Sequence, residues 1–182
     1  MPRPRPLGLL RGRVAGLAPA VLSSWRDSLA LASGGAAARV LAWAPSGADV
    51  ALGSPGYLSV GGPLGWTHVG WHTIERGGWN VENGQLQWRT YAGGRGSVQL
   101  TPPRRLPELF RERVSASLVV EQVTPFRGSR GIIVSGRRDL GDDTAPLAWH
   151  ATLSRGLTWS TDGVEDAAEA ALIRLRAEYD IA

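Results

Sequence analysis

From residue 39 onward, apolar and polar positions alternate with a period of two. The alternation comes in short runs separated by Pro, Gly, Ser and Asp, which predicts a series of half-buried strands. The runs are 39–44 (RVLAWA), 49–53 (DVALG), 56–60 (GYLSV), 66–81, 85–91 and 97–100. Asn83-Gly84 between the two longest is a hairpin signal, because a type I′ turn needs positive φ at both central residues. On the return strand Leu86 and Trp88 share one face, and Gln85, Gln87 and Arg89 the other. Pro102-Pro103 then ends the alternation, since proline lacks a ladder donor.

The period changes at 104–116, where Leu106, Leu109, Phe110 and Val114 recur at helical spacing. Period-two runs return at 118–123, 131–136 and 147–153. A final helix over 163–179 presents Val164, Ala168, Ala171, Leu172, Leu175 and Tyr179 as its buried stripe. Asp162 and Glu165 ahead of it approximate a capping box. Upstream of the strands, Arg-Pro alternation at 2–6 favours extended chain. Leu7, Leu10, Val14, Leu17 and Val21 follow at helical spacing, weakened by Gly8, Gly12, Gly16 and Pro19. A second helical stretch over 20–31 buries Val21, Leu22, Trp25 and Leu29. This region is expected to dock on its own domain or to remain a partly disordered leader.

The segments RVLAWA (39–44), LGWTHVGWHTIERGGWNVENGQLQW (64–88), LPELFRERVSAS (106–117) and GSRGIIVSGRR (128–138) carry a resemblance. They resemble an uncharacterised actinobacterial protein family whose first half is similar to bacterial PH-like domains. Trp71 with Ile74, and Trp79 with Leu86 and Trp88, match that family's strand pattern. The resemblance covers about residues 37–182, leaves 1–36 outside, and carries over no catalytic residue. The expected fold is α+β, with a PH-like curved antiparallel sheet or barrel closed by a helix. A three-stranded antiparallel sheet with a long C-terminal helix follows. The expected boundaries are a basic extension at 1–36, a PH-like barrel at 37–117, and the second sheet and helix at 118–182.

Composition narrows the chemistry more than it identifies it. There is no cysteine, which excludes disulfides, thiolate metal sites and a cysteine nucleophile and is compatible with a cytoplasmic protein. All 20 basic residues are arginine, which excludes Schiff-base and P-loop lysines. The net charge of +4 conceals an asymmetry. Residues 1–35 carry five arginines against one aspartate, 36–138 twelve against six acids, and 139–182 three against nine. A basic front with an acidic tail suggests self-complementary packing.

Candidate sites are few. His68, His72 and Glu75 have a spacing that suits zinc on a helix. On a strand the two histidines stand roughly 13 Å apart, too far to share a metal, so no metal site is assigned. Asp139, Asp142 and Asp143 lack the further ligands of a calcium loop and read as a solvated turn. AGGRGS at 92–97 lacks the lysine and the strand-to-helix context of a phosphate loop, and no cofactor is implied. Serines are present, but none lies in a nucleophile elbow. The best ligand candidates are Arg104, Arg105, Arg111 and Arg113, whose forked donors suit phosphates, with pairing to Glu108, Glu112 and the acidic C-terminal helix as the structural alternative. Aromatics for base stacking are not interleaved with them, Phe110 belonging to the helix's apolar stripe, which counts against binding of single-stranded nucleic acid.

The expected function is therefore a non-catalytic binding or scaffold module that engages a protein partner or a second copy. The alternative is peripheral association with anionic lipid, through the N-terminal extension and the arginines at 104–113.

Overall fold

A computed structural model of the chain describes residues 14–35, 38–128 and 130–179. The alternating segments form ten strands in three antiparallel sheets. The first sheet holds β1 (Ala42–Ser46), β2 (Asp49–Gly53), β3 (Tyr57–Gly62) and β4 (Gly65–Gly70) in sequential order. The second holds β5 (Ile74–Asn80), β6 (Gln85–Thr90) and β7 (Arg95–Gln99), and the third β8 (Leu118–Arg127), β9 (Arg130–Arg137) and β10 (Ala148–Leu153). Three helices accompany them: α1 (Pro19–Ser33), α2 (Leu106–Ser117) and α3 (Val164–Tyr179). No helix among the described residues is long and apolar enough to cross a membrane.

The expected barrel is not closed. Residues 66–81 do not run as one strand: the chain turns through a single 3₁₀ turn at Trp71–Thr73, so β4 ends in one sheet and β5 begins in another. Trp71 fixes that turn. It is fully buried, its Nε1–H donates to Ser54 O at 3.0 Å, and its ring meets Phe110 edge-on at 5.9 Å. A bulge between Ile74 and Arg76 bends the start of β5 further. The two sheets enclose a core of Leu58, Ile74, Leu86, Val98 and Trp71, and α2 seals it with Leu106, Leu109 and Phe110.

The β5–β6 hairpin also departs from expectation. Its loop has four residues, 81–84, because Asn80 pairs with Gln85. Only Gly84 has positive φ (63°), and Asn80 Oδ1 accepts from the N–H groups of Glu82 (2.9 Å) and Asn83 (3.3 Å). The side-chain bonds of Asn80 thus favour a longer turn over the two-residue type I′ form.

The helix expected at 20–31 is α1, and it docks on the first sheet. Leu22, Trp25 and Leu29 are buried against Leu52, Trp43 and Trp66. Trp66 Nε1–H donates to Ser24 Oγ at 3.0 Å. His68 bridges the two elements, with Nε2 2.9 Å from Ser28 Oγ and Nδ1 2.8 Å from Ser59 Oγ. Burial lowers the pKa of His68, in keeping with a neutral ring that donates once and accepts once. Residues 14–18 are not helical, and the rest of the earlier helical pattern, with the Arg-Pro run, lies outside the described residues. In the last unit α3 buries Val164, Ala168, Ala171 and Leu175, the last three against Ile132 and Val134 of β9. Of the rest of the expected stripe, Leu172 is half-buried and Tyr179, on the helix's last turn, is exposed.

Candidate functional site

The sheet β5–β6–β7 has an open side. Among the described residues β5 pairs only with β6, which leaves its other edge facing α2. Between them lies a groove of about 510 Å³, lined on the strand by Arg76, Gly77, Gly78 and Trp79 and on the helix by Pro107, Glu108, Phe110, Arg111, Val114 and Ser115. The glycines make this groove. A Cβ on Gly77 would sit 2.7 Å from Phe110 Cζ and 2.5 Å from Gln87 O, so only glycine lets the helix ring approach the strand. A Cβ on Gly78 would meet nothing within 4 Å, so the strand surface there is bare.

A second hollow of about 530 Å³ continues from the first across Arg76, Gly77, Gly78 and Trp79, reaching Gln87, Trp88, Arg89 and Arg95. Its polar side follows from register. Arg76 stands opposite Arg89, and Arg89 opposite Arg95, so three arginines form one row across three strands. Leu86 and Val98 alternate with them and are buried, which places the row on the face away from the core. Like charges directly opposite each other are destabilising. The Glu75 carboxylate, 3.3 Å from Arg89 Nε, is the one acid among the described residues that pairs with the row.

The four arginines flagged in the sequence separate in space. Arg104, with φ of 52°, stacks its guanidinium 3.7 Å from the Trp43 ring centroid. Arg105 pairs with Glu112 at 3.1 Å, and Arg113 donates to Pro55 O at 2.8 and 3.2 Å. Arg111 is the one of the four that lines the groove, as Arg76 does from the strand side. No acid of α3 pairs with them among the described residues.

A second cluster lies where the second sheet meets the third. Arg137 is only 6% exposed and has no carboxylate partner among the described residues. It donates instead to Tyr91 Oη (2.9 Å), Val114 O (2.8 Å) and Ser117 Oγ (2.8 Å). Tyr91 Oη also lies 3.2 Å from Ser135 Oγ, and the Tyr91 ring stacks flat on His150 at 3.7 Å. Burial first, then the charges of Arg137 and His72, lower the pKa of His150 to about 4. His72 Nδ1 lies 3.6 Å from Asp139 Oδ1, beyond hydrogen-bond reach, and that oxygen accepts from Gly141 N–H, with Asp139 half-buried at the junction. Neutral His150 and an Arg137 whose Nε and Nη1 donors go to neutral acceptors make this cluster a joint between units.

Sequence reasoning missed both the groove and the joint. Arg-Gly-Gly at 76–78 inside a strand was the available signal for the groove, since paired glycines in a strand mark a close approach. Comparison of the chain with protein-family models, with curated proteins and with solved structures finds no match.

Proposed function

We propose that β1–β7 with α2 form a PH-like unit acting as a non-catalytic protein-binding module, whose groove between β5 and α2 receives an extended segment of a partner chain. The carrying observation is the unpaired edge of β5, laid open by Gly77 and Gly78 opposite the Pro107–Ser115 side of α2. The PH-like reading is supported by seven strands that follow one another through two sheets, with a helix after the seventh sealing the core between them.

An edge strand offers alternate N–H and C=O groups to an incoming strand, which supply affinity, while pockets for alternate side chains supply specificity. Here the incoming backbone would pair with 76–80, and its inward side chains would meet Phe110 and Val114. Hydrogen exchange tests this directly. Adding a peptide of about ten residues, alternating Gln and Val, should slow amide exchange at 76–80. Protection elsewhere, or none at high peptide concentration, would overturn the reading. Val114→Trp, which fills the groove from the helix side, should abolish the protection while leaving the fold intact.

A further inference from the structure

We infer that the arginine row sets the charge of the strand that joins β5: the partner presents an acidic side chain opposite Arg76. This inference rests on the groove reading above and specifies its ligand.

Neighbouring strands lie about 4.8 Å apart, and residues in register project side by side on one face. Arg95, Arg89 and Arg76 occupy successive places in one such row, running toward the open edge. A strand added to that edge fills the next place, so its residue in register with Arg76 becomes the fourth member of the row. A basic residue there would add a third like-charge pair, whereas a carboxylate would complete an opposite-charge pair. Glu75 already faces Arg89, whereas Arg76 and Arg95 have no ion pair among the described residues. On the helix side of the groove Arg111 is offset by Glu108, so the charge preference rests on the row of the sheet.

The row follows the geometry of strand pairing, and this favours an acidic polypeptide over a membrane surface. A headgroup lying on the sheet face would meet all three arginines alike. An added strand meets them in order of distance.

The test uses the full chain and two fluorescent peptides of about ten residues, one alternating Glu and Val and the other Gln and Val, followed by anisotropy. At low salt the Glu peptide should bind about tenfold more tightly, and the preference should fade as salt approaches about 0.5 M. Arg76→Gln should remove most of that preference, Arg89→Gln less and Arg95→Gln least. Equal binding of the two peptides, with protection at 76–80, would overturn the charge inference and leave the groove standing. Failure of both peptides to bind would overturn the groove reading and this inference with it. Equal losses from the three substitutions, together with salt-sensitive binding to vesicles containing anionic lipid, would overturn it in favour of a membrane surface. Arg76 and Arg95 are solvent-exposed, so circular dichroism should show both variants folded.

Discussion

The second and third sheets are both three-stranded meanders flanked by a helix, yet they treat arginine in opposite ways. In the third, Arg137 is withdrawn from water and its donors go to a phenol, a backbone carbonyl and a hydroxyl. In the second, Arg76, Arg89 and Arg95 stand in a row on the outer face with one carboxylate among them. The same side chain is a structural rivet where neutral acceptors surround it. Where it repeats across strands with little to neutralise it, it stands on the outer face open to the acidic strand proposed above. The feature that separates the two roles is the balance of nearby acceptors, which residue type does not reveal.

Substitution at the two kinds of site should separate them most widely. Arg137→Met strips Tyr91 Oη, Val114 O and Ser117 Oγ of a shared donor and should cost about 3 kcal/mol in urea unfolding. Arg95→Gln should change stability by less than about 0.5 kcal/mol. Equal costs would erase the distinction. The paired glycines of β5 give the next largest effect. Gly77→Val forces a Cβ against Phe110 and Gln87 and should cost about 2 kcal/mol. Gly78→Val meets open space and should cost nothing or add a few tenths of a kcal/mol of strand preference.

Acid should act on the joint before the groove. His150 titrates at about 4 in the folded chain, below its ordinary 6.5, so the unfolded chain takes up a proton that the folded chain refuses. Stability should be flat above pH 6.5 and fall as the pH drops toward 4. The loss should be about 1–2 kcal/mol once discounted for the solvent that reaches a half-buried ring. His68 is shifted the same way by burial, so His150→Phe, which keeps a ring on Tyr91, isolates the junction's share by flattening part of the slope. Smallest of all, Glu112→Gln should alter unfolding by no more than about 0.5 kcal/mol, because its pairing with Arg105 is exposed.

Much of this architecture is legible in the chain. Period-two runs at 49–53, 118–123 and 131–136 all lie within strands, and that at 147–153 overruns β10 by Leu147. The apolar stripe of α2, and that of α3 as far as Leu175, fall where helical spacing puts them. The misreadings have local and distant causes. A two-residue turn at Asn83-Gly84 would set Gly78 opposite Arg89. The four-residue loop shifts the register and brings Arg76 there instead, so the arginine row appears only once Asn80's bonds to the loop are known. The break at 71–73 depends on Trp71 finding Ser54, and the capture of Arg104 depends on Trp43, 61 positions earlier in the chain. Contacts of that span leave no periodic trace.

The docking of α1 has a consequence for synthesis. Trp25 and Leu29 are fully buried, but partners such as Trp66 and His68 follow about forty residues later, at separations of 42 from Ser24 and 40 from Ser28. At a translation rate of about 5–20 residues per second, the apolar stripe of α1 waits roughly 2–8 s for the sheet it will cover. The nascent chain therefore passes through an interval in which the apolar stripe of this helix is without the partners that cover it. A chaperone that recognises such stripes would have that interval in which to bind.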